Sequence, residues 1–373
     1  MQKPTRTGLA LVIAFFAVLL VPLAVWPLLR SHVDTEVHEN RYLAEFPQAV
    51  PLNEWPAAFE DWLGDHAPFR NQWMALNGAL NWQLGTLDST DVLLGQEHWL
   101  FLKDVNDSSS LSDYQGLTFY SQEELDTFVE TLARLQSALE ARGSRLAVVL
   151  APAKEGVYSR YMPDSIPVLH RPTRVQTLAA QLQQRLECPV LWPQELLIAA
   201  ADRQQVYYQY DTHWNEAGAY LAAVPLMKEL GGSLPAADAV TITADASQSA
   251  PTDLANVSGV WALCRDDIYY TVDAPRGVLV EQSADGYHAR WQGEGEGSLL
   301  MLRDSFGVAL APFVTACYGE SFVLHGSAVT VDVLDAQLDT LPDQVILEAT
   351  ERFAENLLSQ ARVLLAWLEA HPQ

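Results

Sequence analysis

The chain has 373 residues, of which 49% are hydrophobic and 18% are charged. This composition excludes a disordered protein, and the length allows a sizeable core in one large domain or two ordinary ones. The formal net charge is -25, and because Lys3, Arg6 and Arg30 precede every acidic residue, the chain after Arg30 carries 19 Lys and Arg against 47 Asp and Glu, a net charge of -28. Nucleic acid is a poor partner for such a surface, whereas a neutral or weakly charged partner is easier to accommodate.

The first predicted element is a membrane anchor. No charge occurs from Gly8 to Leu29, and this apolar segment is long enough to cross a bilayer as a helix. A cleavable signal peptide usually has a shorter apolar region and a small-residue exit, so we predict an uncleaved transmembrane signal anchor over residues 1–30. Basic residues before the segment and "DTEVHEN" after it predict a single-pass protein of the inner membrane. Its amino terminus would lie in the cytoplasm and its body in the periplasm.

The next part, residues 31–110, is predicted to be a membrane-proximal helical and hairpin part. A polar, proline-punctuated linker leads into apolar residues at helical spacing around Trp55–Leu63 and Trp73–Leu84, which predict two amphipathic helices. Aromatic residues at this spacing are interpreted as packing residues, with a carbohydrate-binding platform as the alternative. The stretch "DVLLGQEHWLFLKD" has two apolar runs around a glycine-containing turn, which indicates a hairpin.

Residues 111–373 are predicted to form an α/β catalytic core. The capping pattern "SQEE" at Ser121 opens a helix that ends near Gly143, and the apolar run "SRLAVVLAPAK" follows as a buried strand. Extended and helical patterns then alternate through "CPVLWP", "NEAGAYLAAVPLMKELGG", "GSLLMLRDSFG" and "PDQVILEATERFAENLL". This order predicts a parallel sheet covered by helices. The alternation of extended and helical patterns stops at about 234–297, and we interpret this region as an insertion or an irregular edge.

Cysteine and histidine spacing indicates neither a metal site nor a disulfide framework. Cys188, Cys264 and Cys317 are an odd number without CxxC spacing, which leaves room for one bridge, between Cys264 and Cys317. The nine histidines are scattered singly, and HExxH, Walker and GxGxxG motifs are absent from the sequence. We therefore expect no metal ion and no nucleotide cofactor.

The stretch "QYDTHWNEAG" contains the first candidate catalytic residues. Asp211 and His213 would point to nearly opposite sides of a helix, but residues two apart share a face in an extended segment. Helix signals begin directly afterwards, with Asn215 as the predicted cap. An Asp that accepts a hydrogen bond from one imidazole nitrogen fixes the tautomer and leaves the other nitrogen to take a proton from a hydroxyl. The alternative interpretation is a solvated turn.

The candidate nucleophile is Ser305 in "LLMLRDSFGVAL". An apolar strand ends there and a helix begins, which places the hydroxyl at the carboxyl edge of the sheet, where open α/β sheets bind ligands. Backbone N–H groups at such a turn would face a developing oxyanion. The alternative is that Ser305 serves only as a helix cap.

Taken together, these motifs resemble a known family. "DTHW" followed by "GA", with "RDSF" downstream, is similar to the AlgX and AlgJ family of polysaccharide O-acetyltransferases. The resemblance extends over nearly the whole body, through "ENRYLAEFP", "FRNQ", "GQEHWLF", "PAKEGVY" and "EATER". It implies an SGNH-hydrolase-like fold, and the chain's end soon after "EATER" makes the anchored layout closer to AlgJ than to AlgX, which appends a carbohydrate-binding module.

The resemblance also implies roles for individual residues. Ser305 corresponds to the nucleophile, His213 to the base and Asp211 to its orienting carboxylate. SGNH hydrolases usually have the reverse order along the chain, so the motif order is that of a circular permutation. Arg303 stands where many of these enzymes have Gly, and no Gly or Asn is assigned to the oxyanion hole. Lys154 in "PAKEGVY" matches a recurrent position, but we interpret it as a surface or helix-end charge and leave it outside the catalytic set.

The function implied is a membrane-anchored periplasmic O-acetyltransferase that acetylates hydroxyls of an exported polysaccharide through an acetyl-serine intermediate. The acetyl group would be supplied by a membrane-bound O-acyltransferase partner. Two alternatives remain open. One is a polysaccharide acetyl esterase, since acylation of Ser305 is common to both reactions and only the second acceptor differs. The other is a non-catalytic scaffold of a polysaccharide export complex.

Overall fold

The computed structural model describes residues 6–37, 42–105 and 108–372. The α-helices are α1 (Arg6–Leu29), α2 (Trp55–Asp65), α3 (Arg70–Gln83), α4 (Ser110–Gln115), α5 (Gln122–Glu140), α6 (Lys154–Val157), α7 (Arg174–Arg185), α8 (Gln194–Ala201), α9 (Glu216–Glu229), α10 (Asp253–Val257), α11 (Gly307–Thr315), α12 (Val331–Gln337) and α13 (Asn356–Ala370). The strands are β1 (Val92–Leu94), β2 (Leu100–Leu102), β3 (Arg145–Ala151), β4 (Val190–Leu191), β5 (Thr241–Ala244), β6 (Tyr270–Asp273), β7 (Val278–Gln282), β8 (His288–Gln292), β9 (Ser298–Arg303), β10 (Glu320–His325) and β11 (Gln344–Thr350).

The chain forms two compact units, and the first comprises Met1–Ser89 and Thr252–Arg265. It contains α1, α2, α3 and α10. Helix α1 is apolar and long enough to cross a membrane, in agreement with the predicted anchor. Residues 1–5 of that anchor, including Lys3, and residues 38–41 of the predicted linker lie outside the described part of the chain.

The two amphipathic helices are confirmed as α2 and α3, but the aromatic residues of α2 are not buried in a core. No residue of α2 is buried, and Trp55 and Trp73 are 37% and 50% exposed. Helical spacing puts these rings on one face of a helix, but it does not supply a partner that covers the face. The rings instead pack on one another, as where Trp55 stacks on Phe59 with centroids 4.8 Å apart.

The second unit, Thr90–Pro251 and Asp266–Gln373, is built on a seven-stranded sheet of order β4-β3-β11-β9-β10-β8-β7. The first five strands are parallel, and β8 and β7 continue the sheet in antiparallel orientation. This confirms the predicted α/β class with an SGNH-hydrolase-like parallel sheet flanked by helices. The predicted hairpin is also confirmed as β1 and β2, and it lies in this second unit.

Alternate residues of the central strands enter two cores on opposite faces of the sheet. Val149 of β3 and Ile346 of β11 pack with α8, α9 and α11 on one face. Val148 and Leu347 pack with α5, α7, α12 and α13 on the other. Strands buried on both faces read as continuous apolar runs, and for this reason "RLAVVLA" and "QVILEAT" were recognisable as parallel strands.

The irregular region predicted at about 234–297 contains three different structures. β5 and β6 form a separate two-stranded ribbon, while β7 and β8 form the antiparallel edge of the main sheet. The segment between β5 and β6 in the sequence, Thr252–Arg265, belongs to the first unit. Cys317 is a free thiol, so the bridge considered between Cys264 and Cys317 is not formed.

Candidate active site

The carboxyl ends of β3, β9 and β11 lie side by side at one edge of the sheet, because these three strands are parallel neighbours. Each strand delivers a sequence motif to that edge: "PAK" after β3, "RDS" after β9 and "ATER" after β11. The fourth motif, "DTHW", directly precedes α9. That helix begins as predicted, because the side chain of Asn215 accepts a hydrogen bond from the N–H of Gly218 at 3.0 Å.

Asp211 and His213 are joined as the sequence predicts. Oδ1 of Asp211 lies 2.7 Å from Nδ1 of His213 and accepts a second hydrogen bond from the His213 backbone N–H at 2.9 Å. Asp211 is 2% exposed, so its interaction with the imidazole is little screened by water. Because Nδ1 faces the carboxylate, Nε2 is the ring nitrogen that would exchange a proton with a hydroxyl.

The "DTHW" segment contacts the "RDSF" turn directly. The indole Nε1 of Trp214 donates to the carbonyl oxygen of Phe306 at 2.9 Å. The ring of Phe306 lies 4.9 Å from the His213 imidazole and 5.5 Å from the Trp214 indole, measured between centroids. Trp214 and Phe306 are both buried, so this contact holds two segments that are far apart in the sequence at a constant separation.

Ser305 lies between the end of β9 and the start of α11, and its side chain is exposed. It shares the wall of a cleft of about 460 Å³ with His213. Within the described residues, no hydrogen bond joins the Ser305 hydroxyl to the imidazole. The interpretation of Ser305 as a helix cap is wrong, because Phe306 is the residue before the first turn of α11 and no side chain caps that helix.

Asp304 stabilises the turn that contains Ser305 by hydrogen bonds on both sides of its carboxylate. Its Oδ1 accepts from the Phe306 N–H at 2.8 Å, and its Oδ2 accepts from the N–H and the hydroxyl of Thr350 at 2.7 and 2.6 Å. These hydrogen bonds connect the turn to Thr350 at the end of β11. The Phe306 N–H is engaged by Asp304, so it is not one of the backbone donors predicted to face an oxyanion.

A second buried acid lies against Asp304. Oε2 of Glu348 accepts from the Asp304 backbone N–H at 2.9 Å, and Glu348 is fully buried. Burial, followed by the adjacent charge of Asp304, raises the pKa of Glu348 well above its usual range. Gly307 completes the turn, because a Cβ there would lie 2.4 Å from the Cβ of Arg303 and 2.8 Å from the Glu348 carboxyl. Only glycine permits α11 to begin this close to β9.

The cleft beside Ser305 and His213 is mostly apolar and aromatic. Its other lining residues are Tyr208, Trp214, Glu216, Pro251, Tyr269, Arg276, Phe306, Val308, Ala309 and Pro312. The two charged members, Glu216 and Arg276, form an ion pair, so their charges offset each other.

One residue near the site was misjudged from the sequence. The prediction of a surface charge at Lys154 is wrong, because the residue is 2% exposed, whereas its predicted place at a helix end is correct, because it is the first residue of α6. Its ammonium contacts the backbone of the segment that contains Asp211. The signal that would have identified it is its position directly after the buried strand β3, since a charged residue there must find partners at the carboxyl edge of the sheet.

Comparison with known proteins gives a family match over the part of the site that contains Lys154, Asp211 and His213, but not over Ser305. The model of the family described as "SGNH hydrolase-like domain, acetyltransferase AlgX" matches residues 92–267. The chain is 27% identical over 233 residues to a protein of Pseudomonas syringae pv. tomato named "Probable alginate O-acetylase AlgJ", covering 62% of this chain and 54% of that protein. A Pseudomonas putida protein of the same name is 30% identical over 217 residues, covering 57% and 48%. The chain thus spans about half the length of these relatives.

Two solved structures are similar at lower identity. The O-acetyltransferase domain of Pseudomonas putida AlgJ is 19% identical with a TM-score of 0.43, covering 72% of this chain and 92% of that one. Bacillus cereus PatB1 is 18% identical with a TM-score of 0.49, covering 72% and 97%. The family assignment rests on the sequence matches. Through them residues 92–267 are similar to the SGNH-hydrolase-like domain of the AlgX family, and the chain resembles proteins named AlgJ over about three fifths of its length.

Proposed function

We propose that this chain is a membrane-anchored O-acetyltransferase that transfers acetyl groups to hydroxyls of an exported polysaccharide through an acetyl-serine intermediate. The observation that carries the proposal is the hydrogen-bonded Asp211–His213 pair on the same cleft as the exposed Ser305. Similarity to the AlgX/AlgJ family supports it, since two relatives are named "Probable alginate O-acetylase AlgJ".

In the proposed first half-reaction, Oγ of Ser305 attacks the carbonyl carbon of an acetyl donor while Nε2 of His213 takes the hydroxyl proton. Asp211 stabilises the imidazolium that forms. The tetrahedral intermediate then breaks its bond to the donor group, which leaves with the proton from His213. The product is acetyl-Ser305 and neutral His213.

In the second half-reaction, a sugar hydroxyl of the polymer gives its proton to Nε2 of His213 and attacks the acetyl carbonyl. Collapse of the intermediate returns the proton to Oγ of Ser305 and releases the acetylated polymer. Ser305 and His213 are not hydrogen-bonded to each other in the structure, so the two side chains must come within hydrogen-bond distance before the first proton transfer.

The cleft suits a sugar acceptor. Tyr208 and Tyr269 line it, and aromatic rings provide flat apolar faces together with polar groups. Because Arg276 is paired with Glu216, these two side chains do not present a net positive charge. Together with the charge of -28 after Arg30, this favours a neutral or weakly charged stretch of polymer over a polyanionic one.

The apolar helix α1 places the reaction at a membrane in this proposal. We propose that the helix anchors the chain in the inner membrane, with the catalytic body in the periplasm. The anchor would hold Ser305 close to a membrane-bound O-acyltransferase that supplies acetyl groups. Without such a donor, water would compete with the sugar at the exposed Ser305, and for that reason an acetyl esterase is the second candidate function.

The test is turnover of an activated acetyl ester by the full chain in detergent. We expect Ser305→Ala and His213→Ala each to reduce kcat by on the order of a thousandfold or more with the fold intact, because triad members act as a unit. Ser137→Ala, in an exposed position of α5, is the matched control and should leave kcat unchanged. Unchanged turnover in Ser305→Ala would point to the non-catalytic scaffold.

Transfer and hydrolysis are separated by the acetyl content of exported polymer from cells that carry Ser305→Ala. Polymer that loses acetyl groups supports a transferase. Polymer that gains them identifies a deacetylating esterase.

A further inference from the structure

Lys154, the first residue of α6, is a buried cation that contacts one loop three times. Its Nζ donates to the carbonyl oxygen of Asp211 at 2.6 Å and to those of Tyr208 and Gln209 at 3.2 Å each. An ammonium has three N–H donors. The three contacts match that number, and all of them lie on the backbone just before His213.

The lysine ammonium also lies near two aromatic rings. Its Nζ lies 5.8 Å from the centroid of Trp99 and 5.4 Å from that of Phe101, both in the hairpin of β1 and β2. Burial of an ammonium costs several kcal/mol unless it is compensated by polar partners. An apolar side chain would fill this space without the cost of burying a charge. The charge of Lys154 itself therefore has a role at this position.

That role follows from the shape of the loop. Three carbonyl oxygens from residues 208–211 converge on one point, and their dipoles repel one another unless a cation lies between them. The Asp211 carbonyl belongs to the same residue as the carboxylate that bonds His213. A shift of the loop would therefore displace that carboxylate and with it the imidazole.

We propose that Lys154 is a positioning residue: it holds the backbone of residues 208–211 so that Asp211 keeps His213 in the Nδ1–H tautomer and at the cleft. This inference rests on the proposed function for its catalytic consequence, but the geometric part concerns only the loop and the imidazole. Lys154 acts through Asp211 and His213 and contacts neither the acetyl group nor the acceptor.

The first test is ester turnover by the full chain with Lys154→Met, which keeps the length of the side chain and removes the charge. We expect kcat to fall by about 10- to 100-fold, the range for a displacement near 1 Å, with KM changed less than about threefold. Lys154→Arg keeps the charge, and it should retain more activity than Lys154→Met. Lys228→Met, in the last turn of α9 and exposed, is the matched control and should keep full turnover.

A double-mutant cycle separates positioning from general stabilisation. In an Asp211→Ala background, Lys154→Met should reduce the residual kcat by less than about threefold, because the group through which Lys154 acts is already absent. An equal loss in both backgrounds would overturn the inference. Circular dichroism and unfolding midpoints verify that each variant is folded, and if Lys154→Met does not fold, Lys154→Gln, which also removes the charge, takes its place in the cycle.

The second test does not depend on turnover. Nitrogen NMR of ¹⁵N-histidine-labelled protein, with the His213 signals assigned through His213→Gln, reports which ring nitrogen carries the proton. We expect the Nδ1–H form in wild type and its partial loss in Lys154→Met. An unchanged tautomer together with unchanged kcat would refute the positioning role. If Ser305→Ala instead keeps wild-type turnover, the proposed function fails, while the tautomer still decides the role of Lys154.

Discussion

The two buried acids under the serine turn should respond in opposite ways to the same chemical change. Asp304 and Glu348 are in contact, and each can be replaced by its amide, which keeps the size of the side chain. Asp304 accepts three hydrogen bonds, from Phe306 and Thr350. Burial raises the pKa of Glu348 and so favours its neutral form, which an amide resembles.

The cost of Asp304→Asn follows from counting donors. An Asn side chain has one oxygen and one NH₂ group, and in its better orientation the oxygen keeps both bonds from Thr350 while the NH₂ faces the Phe306 N–H. One hydrogen bond to a charged acceptor is lost, worth about 1.5–3 kcal/mol, and a buried N–H loses its acceptor. We expect a loss of about 2–4 kcal/mol in the free energy of unfolding. Removing a buried charge lowers the desolvation cost of folding and offsets part of this loss.

The cost of Glu348→Gln should be below about 1 kcal/mol, because the amide oxygen still accepts from the Asp304 N–H and the amide resembles the neutral form that burial favours. The assay is urea unfolding of the full chain in detergent, monitored by tryptophan fluorescence. Free energies of unfolding are compared only between variants whose m-values agree with that of wild type. The reasoning is refuted if Asp304→Asn lies within about 0.5 kcal/mol of wild type, or if Glu348→Gln loses as much as Asp304→Asn. Ester turnover should follow the same order, because Asp304 holds the Ser305 turn.

Two further predictions concern packing and pH. Gly307→Ala places a Cβ 2.4 Å from that of Arg303, so we expect a loss of about 1–3 kcal/mol in unfolding free energy and a lower kcat; an unfolding midpoint equal to wild type would contradict the close contact. Burial raises the pKa of Glu351 to about 7 from 4.5, so the folded state binds this proton more tightly than the unfolded state, and stability falls as pH rises from about 4.5 to 7. Relative to Glu351→Gln, wild type should therefore be less stable at pH 8 than at pH 5 by at most about 3 kcal/mol; a difference that does not change with pH would contradict the shift.

The amino-acid sequence determined the elements of this protein to a large extent. Apolar runs buried on both faces predicted β3, β9 and β11, and the capping patterns at Ser121 and Asn215 predicted where α5 and α9 begin. These signals are local, because capping and periodicity depend on residues only a few positions apart. The same holds for the Asp211–His213 pair, whose spacing requires an extended segment.

Only the tertiary structure decided which faces are covered and which distant groups meet. Helical spacing of Trp55 and Trp73 predicted a helix but not the exposure of their rings. The sequence also did not predict that Asp304 beside Ser305 bonds to Thr350, or that Lys154 is buried against residues 208–211. Each of these depends on contacts between residues many positions apart in the chain, and such contacts are set by how the strands order themselves in the sheet, for which a local pattern carries no information.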